Sequence, residues 1–219
     1  MPRKIQRPSV TIKFAQSLDG RIATLSGDSK WISGPKARAF AHRLRSQHQA
    51  VLVGINTVLK DNPRLTVRLA KGKNPVKVIL DSRLRVPLSA HVVRHGSRGR
   101  TIVAVTKQAP LSKIRKLQAK GLKILLIPSG KEGGVSLKRL LAELKKAGIQ
   151  SVLVEGGAKV ITSFLKERLA YRLIVITAPK IIGKGIDGIN FFTPSIRLAG
   201  FERSKIYKLG DDIVSDVQL

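Results

Sequence analysis

The stretch VLVEGGAK, residues 152–159, decides the fold class, because an apolar run, a Gly-Gly pair and the start of an amphipathic segment follow one another directly. We predict a buried strand over residues 151–155 and a helix over residues 159–168. Glycines allow a ligand to approach the backbone closely, and the free N–H groups at a helix N-terminus attract anions. The stretch therefore predicts a phosphate-binding turn. A tight strand-to-helix turn without a ligand is the structural alternative.

The same alternation of apolar runs and amphipathic segments continues on both sides of this stretch. Further strands are predicted over residues 9–16, 50–54, 76–81, 101–106, 123–127 and 172–177, and further helices over residues 36–47, 112–120 and 136–147. Ser33 is expected to cap the first long helix, and the part from Ile196 onward to form extended segments. Strands separated by helices predict an α/β fold with a single mixed, mostly parallel sheet flanked by helices. Since no Pro/Gly/Ser-rich linker divides the chain, we expect one domain over residues 1–219.

The composition narrows the class of protein. The 219 residues include 42 Lys and Arg, 13 Asp and Glu and no Cys, for a formal net charge of +29. The absence of Cys excludes a disulfide framework, thiolate metal sites and a cysteine nucleophile. The basic residues are evenly spread and aromatics are few, which disfavours a dedicated nucleic-acid-binding protein, whereas a positive field also attracts small phosphorylated ligands. No apolar run nears the roughly 20 residues of a membrane helix and no secretory signal is visible, so we expect a soluble, cytoplasmic protein.

Familiar catalytic and metal-binding motifs are missing from the sequence. It contains no Walker A, G-x-S-x-G or H-E-x-x-H string. The literal G-x-G-x-x-G at 183–188 leads into INFFTPS, which has no helical period, so we interpret it as a loop and not as a dinucleotide-binding fingerprint. His42, His48, His91 and His95 do not stand at metal-ligand spacing and are expected at surface or boundary positions. No metal is expected, and an enzyme that uses an organic cofactor is favoured.

Three polar strings are candidates for a binding site: SLDGR at 17–21, DSKWIS at 28–33 and GINTVLKDNPRLTVR at 54–68. Ligands of open α/β sheets bind beyond the carboxyl ends of the strands, where the first and third strings begin. Each string also has a structural interpretation: an Asx turn at Asp61, a helix cap at Ser33 and surface solvation at Arg68.

These strings resemble the reductase of riboflavin biosynthesis, which is fused to a zinc deaminase domain in many bacteria and stands alone in archaea. Matching blocks include SLDGRIA at 17–23, SKWISGPKAR at 29–38, the string at 54–68, NPVKVILDSRLRVPLSAHV at 74–92, VEGGAKV at 154–160 and APKIIGKG at 178–185. The deaminase signature H-x-E…C-x-x-C is not present. The resemblance implies a dihydrofolate-reductase-like fold.

The resemblance implies an oxidoreductase that uses NADPH to reduce a phosphoribosylamino-pyrimidine to its ribitylamino form. Hydride would pass from nicotinamide C4 to ribose C1′ of the ring-opened imine. Position by position, the resemblance implies cofactor contacts at Ala15, Trp31, Thr57, Asp61, Ser82, Gly156, Gly157, Ala158 and Lys159. It implies substrate contacts at Ser29, Arg45, Leu65, Arg68 and Glu155. Within that set, Arg45 and Arg68 suit the 5′-phosphate and Glu155 is a candidate orienting residue, while no group is assigned to proton delivery. Ala158 stands where some relatives carry a third Gly, and Asn62 where Asp is frequent.

Alternatives remain for the exact substrate and for the class of function. The favoured substrate is 2,5-diamino-6-(5-phosphoribosylamino)pyrimidin-4(3H)-one, because residues 54–68 and 74–92 are close to the archaeal pattern. The alternative is the deaminated 5-amino-6-(5-phosphoribosylamino)uracil, since SKWIS resembles the bacterial form. A reductase of folates or another carbonyl substrate, and a basic nucleic-acid-binding protein on a retired reductase fold, are further alternatives. A homodimer is expected from the resemblance, with the C-terminal strands as candidates for its interface.

Overall fold

The computed structural model describes residues 7–94, 99–130, 132–190 and 203–219. The strands in these residues are β1 (Ser9–Ser17), β2 (Arg21–Thr24), β3 (Ala50–Gly54), β4 (Val76–Leu80), β5 (Thr101–Val105), β6 (Lys123–Leu126), β7 (Ser151–Val154), β8 (Arg172–Ala178), β9 (Gly185–Asp187), β10 (Arg203–Leu209) and β11 (Asp212–Gln218). The helices are α1 (Pro35–Gln47), α2 (Ile55–Asp61), α3 (His91–Arg94), α4 (Leu111–Ala119), α5 (Leu137–Lys146) and α6 (Ala158–Lys166). None of these helices is long and apolar enough to cross a membrane.

The described strands form one large sheet in the order β10-β11-β8-β1-β7-β3-β4-β5-β6. Every neighbouring pair from β8 to β6 is parallel, while β11 pairs antiparallel with both β8 and β10. β2 and β9 form a separate antiparallel pair. The predicted mixed, mostly parallel α/β fold is therefore confirmed.

Apolar side chains cover both faces of this sheet. In β3, Leu52 belongs to one core cluster, whereas Val51 and Val53 belong to another. Since successive strand residues point to opposite faces, β3 contributes to two cores and every one of its residues is buried. Helix α5 covers its side of the sheet with a stripe at i, i+3, i+4 and i+7 spacing: Leu137, Leu140, Leu141 and Leu144.

The predicted element boundaries agree with the structure to within two residues, but two local predictions are wrong. Ser33 does not cap α1: the N-cap is Gly34, whose backbone N–H donates to Asp212 Oδ2 at 2.7 Å. The G-x-G-x-x-G segment is not simply a loop, because it contains β9, which pairs with β2. The C-terminal extended segments are present as β10 and β11, and residues 196–202 lie outside the described residues.

Asp19 fixes the chain that leads into β9. Its carboxylate accepts hydrogen bonds from the backbone N–H groups of Ile182 at 3.1 Å and Gly183 at 2.7 Å. The hydrogen bond from the Ser17 hydroxyl, assisted by these two, lowers the pKa of Asp19 to about 2. The ends of β1 and β8 are thereby joined at the carboxyl edge of the sheet.

Candidate functional site

Most of the predicted site residues follow the carboxyl ends of adjacent parallel strands. Gly54 ends β3 and leads into α2, Ser82 follows β4, and Glu155 with the Gly-Gly pair follows β7. Since β7, β3 and β4 are consecutive neighbours in the sheet, their ends lie side by side. The structure therefore brings together a candidate site at the edge where ligands of open α/β sheets bind.

The Gly156-Gly157 turn forms a close junction with α2. A side chain at Gly157 would place its Cβ 3.3 Å from Thr57 Oγ1, and Gly156 has a φ of +137°, which favours glycine. The Gly156 carbonyl accepts the backbone N–H of Gly54 at 2.9 Å, and the Gly156–Gly157 peptide bond is cis. A Cβ at Gly54 would meet Val160 Cγ2 at 2.8 Å, so this glycine is required for the packing of β3 against α6. The predicted cofactor residues Thr57, Gly156 and Gly157 are thus neighbours.

The N-terminus of α6 offers backbone donors beside this junction. Gly157 is the N-cap, and no side chain from the described part of the chain caps the helix. The first helical hydrogen bonds come from the N–H groups of Val160 and Ile161, which both donate to the Gly157 carbonyl. The N–H groups of Ala158 and Lys159 precede them and have no acceptor within the helix. Donors of this kind behind a glycine pair fit the diphosphate of a dinucleotide cofactor.

Arg45 and Glu155 form a two-pronged ion pair between α1 and the end of β7. Arg45 Nη2 lies 2.7 Å from Glu155 Oε2, and Arg45 Nε donates to the same carboxylate at 3.0 and 3.1 Å. The side chains are only 15% and 7% exposed. Arg45 Nη1 also donates to the Thr66 carbonyl at 3.1 Å. The two predicted substrate residues are therefore bound to each other, and most of the Arg45 fork is already in use.

Lys13 is a residue of this site that the sequence analysis missed. It lies in β1 between the buried residues Ile12 and Phe14, and its electrostatic neighbours are the Glu155 carboxylate and the Arg45 guanidinium. Burial lowers the pKa of Lys13, the Glu155 carboxylate partly offsets this, and Arg45 adds to the lowering. The signal was present in the sequence, since a lysine inside an apolar strand requires a reason.

Arg68 stands on a loop, residues 65–69, that lies against α1. Arg68 is exposed, and its Nη1 donates to Thr66 Oγ1 at 2.8 Å. Leu65 is only 2% exposed and has a φ of +53°, so its side chain packs in the core and any ligand contact would use its backbone. His42 of α1 contacts the loop backbone at Arg68. His42 is 5% exposed, which corrects its predicted surface or boundary position.

The remaining predicted residues make no hydrogen bonds to Arg45, Glu155 or the glycine pair among the described residues. Trp31 is 65% exposed, and the Arg38 guanidinium lies 4.3 Å from its ring centroid. Ser29 is half-buried in the same β2–α1 segment, and Ala15 is half-buried in β1. Asp61 ends α2, where partial loss of solvent raises its pKa. The Ser82 carbonyl accepts the Thr106 N–H at 3.0 Å.

Metal-ligating groups do not cluster in the described ranges. No set of three or more His, Cys, Asp or Glu side chains there could hold a metal ion.

Comparison with known proteins identifies the family. Residues 8–215 match the RibD C-terminal domain. The riboflavin biosynthesis protein RibD of Aquifex aeolicus is 44% identical over 214 residues, which cover 95% of this chain and 57% of the relative. The 2,5-diamino-6-ribosylamino-4(3H)-pyrimidinone 5′-phosphate reductase of Methanothermobacter thermautotrophicus is 36% identical over 219 residues, covering 95% of this chain and 96% of the relative.

A solved structure gives the same result. The diaminohydroxyphosphoribosylaminopyrimidine deaminase/5-amino-6-(5-phosphoribosylamino)uracil reductase of Thermotoga maritima superposes with a TM-score of 0.79 at 33% identity, over 97% of this chain and 57% of that chain. The chain thus spans a little more than half the length of these RibD relatives. With its dihydrofolate-reductase-like fold, this chain belongs to the RibD C-terminal domain family.

Proposed function

We propose that the chain is an NADPH-dependent oxidoreductase of riboflavin biosynthesis. It reduces the ribose of a 6-(5-phosphoribosylamino)pyrimidine to the ribitylamino 5′-phosphate. One observation carries the proposal: the end of β7 supplies, in consecutive residues, the buried Glu155 carboxylate and the donor-rich Gly156–Lys159 turn. A polar organic substrate and an anionic cofactor would therefore meet at one strand end. The family membership and the names of the relatives agree with this arrangement.

The chain's residues fit the cofactor in the following way. The N–H groups of Ala158 and Lys159 would bind the diphosphate, and the Thr57 hydroxyl lies beside the glycine pair from which they extend. Contacts at Ala15, Trp31, Asp61 and Ser82 are proposed from the resemblance alone. When bound, NADPH supplies the hydride that adds to C1′ of the ring-opened imine, and the imine nitrogen then takes a proton from water.

On the substrate side, the structure changes the role that we propose for Arg45. Its guanidinium is committed to Glu155 and to the Thr66 carbonyl, so we propose that it orients the Glu155 carboxylate. Glu155 would accept hydrogen bonds from amino or hydroxyl groups of the substrate. Arg68, which is exposed and bonded only through one nitrogen to Thr66 Oγ1 among the described residues, is the better ligand for the 5′-phosphate.

Two substrates fit this scheme. The sequence favours the 2,5-diamino-pyrimidinone, and that preference stays a prediction. The deaminated uracil stays the alternative; it differs from the diamino compound in carrying a second ring carbonyl in place of one ring amino group. The similarity to the Thermotoga maritima protein, whose name includes a 5-amino-6-(5-phosphoribosylamino)uracil reductase, is the observation that favours the uracil.

Steady-state kinetics with both phosphoribosylamino compounds tests the proposal. Loss of the reduced nicotinamide absorbance with either compound is expected, with the higher kcat/KM for the diamino compound; a clear preference for the uracil would overturn that choice of substrate. The nucleic-acid alternative would be favoured instead if neither compound caused NADPH oxidation and the chain bound nucleic acid tightly, without sequence preference, at physiological salt.

A further inference from the structure

His42 makes a contact that neither the predicted site nor the proposed reaction explains. It lies in α1, 5% exposed, and its Nδ1 accepts the backbone N–H of Arg68 at 2.8 Å and, more weakly, that of Leu69 at 3.4 Å. A backbone N–H can only donate, so Nδ1 must carry a lone pair and the ring proton must sit on Nε2. The contact therefore requires a neutral imidazole.

The loop that His42 holds is fixed at three successive residues. Besides the Arg68 N–H, the Thr66 carbonyl accepts Arg45 Nη1 at 3.1 Å, and the Val67 N–H donates to Asn74 Oδ1 at 2.7 Å. His42 and Arg45 are three residues apart on α1, so they lie on one face of the helix. The backbone of the loop is thus anchored from α1 at Thr66 and Arg68 and by Asn74 at Val67, while the Arg68 side chain remains exposed.

We propose that His42 is a positioning residue of the substrate site: its neutral imidazole fixes the backbone at Arg68, so that the guanidinium is held where the substrate's phosphate binds. The proposal rests on the proposed function for the identity of that phosphate. Without the Nδ1 acceptor, two adjacent N–H groups lose their partner and the loop can take other conformations. Each binding event would then have to order Arg68 again, and the conformational entropy lost in doing so would weaken binding.

The charges around His42 favour the neutral form that this role needs. Three cations face it, namely Arg45 from its own helix, Arg68 from the loop and Lys13 from β1, and Glu155 at the end of β7 is the opposing carboxylate. Burial, with help from the cations, lowers the pKa of His42 to about 4. The imidazole is therefore an acceptor at neutral pH and becomes a donor only in acid.

Two substitutions separate this role from mere packing. The Asn side chain places its oxygen at the position of Nδ1, whereas the Gln side chain reaches one bond farther, toward the position of Nε2. We expect His42→Gln to raise the substrate KM and the inhibition constant of inorganic phosphate by about tenfold, the effect of losing one buried hydrogen bond. In His42→Asn the substrate KM and the phosphate inhibition constant should stay within about twofold of the values for the unsubstituted chain. In both variants kcat and the KM of NADPH should change little. His48→Asn is the matched control, because His48 bonds the Leu44 carbonyl and Thr11 Oγ1 and not the loop.

Amide hydrogen exchange gives a readout that does not depend on activity. The amides of Arg68 and Leu69 should be protected in the unchanged chain and in His42→Asn, and exposed in His42→Gln. In the unchanged chain the same protection should fade as the pH falls toward about 4, where His42 protonates. Equal effects of the Asn and Gln variants, or protection that ignores pH after correction for intrinsic rates, would overturn the proposal. If neither pyrimidine is reduced, the proposed function fails, while exchange and phosphate binding still decide the role of His42.

Discussion

Replacing Glu155 with Gln tests the ion pair on which the proposed substrate site depends. The Glu155 carboxylate receives hydrogen bonds from Arg45 Nε and Nη2 at 2.7 to 3.1 Å, and both side chains are largely buried. Gln has nearly the same shape but no charge, so Arg45 would keep a buried positive charge without its counter-ion. Removing one partner of a buried pair typically costs about 3–5 kcal/mol. Since Arg45 keeps the Thr66 carbonyl and gains the Gln amide oxygen, we expect the lower end, about 3 kcal/mol.

Urea unfolding at neutral pH measures this loss. The midpoint should fall in Glu155→Gln while the slope with urea stays constant, and the melting temperature should drop by about 6–12 °C for a chain of this size. Asp216→Asn is the matched control, because the Arg172–Asp216 pair has similar two-pronged geometry but leaves Arg172 37% exposed. Although Asp216 is only 13% exposed, Arg172 keeps more contact with water than Arg45, so we expect this pair to contribute less, about 1 kcal/mol. If Glu155→Gln costs no more than Asp216→Asn, the pair at the site is not the buried anchor that we describe.

Three further predictions follow from other parts of the molecule. First, His42 takes up a proton near pH 6.5 in the unfolded chain but only near pH 4 in the folded chain. The contribution of the neutral imidazole to stability is therefore complete above pH 6.5, and about 2–3 kcal/mol of it is lost as the pH falls to 4. Acid titration of the unfolding midpoint should show this loss, and less of it in His42→Asn. Second, Gly54→Ala places a methyl group 2.8 Å from Val160 Cγ2, so it should destabilise the chain by about 1–3 kcal/mol. It should also weaken NADPH binding, measured by calorimetry. Gly148→Ala is the control: nothing lies within 4 Å of its new carbon, so NADPH binding should stay unchanged. Third, we propose a homodimer through the edge strand β10, where Ile206 is 74% exposed; light scattering should give twice the chain mass, and Ile206→Lys should shift it toward the monomer.

The fold could be predicted because its signals are local. Each inner strand is a short apolar run, as in AVLVG of β3, and α5 carries its apolar stripe within ten residues. The exceptions also have a physical reason. β2 and β9 are four and three residues long and only partly buried, so neither has an apolar pattern to detect. Ser33 looks like a cap, but the N–H of Gly34 is satisfied by Asp212, which is 178 residues away in the sequence.

Most of the residues proposed for the candidate site could be named from the sequence, but the contacts between them could not. Family resemblance supplied Arg45 and Glu155, yet only the folded chain shows that they bind each other across 110 residues of sequence. The same limit applies to His42, because the loop that it holds begins more than twenty residues later. Pairing of charged and polar groups depends on which strand ends lie side by side, and that is set by sheet order and not by local pattern.

The scarcity of acidic residues gives the site its electrostatic character. Asp19 accepts the Gly183 N–H and Asp81 that of Val86, so these two carboxylates serve the backbone. Around His42 the Glu155 carboxylate stands against the cations Arg45, Arg68 and Lys13, so positive charge is in excess at the proposed substrate site. A phosphate monoester carries about −1.5 to −2 charges at neutral pH, so it would balance this excess. Protonation of His42 would add a fourth cation to this group, and burial already disfavours it by lowering the pKa of His42. Protonation would also break the hydrogen bond that holds the Arg68 backbone in place. The excess of positive charge that would suit the site to a phosphate therefore adds to burial in keeping His42 neutral.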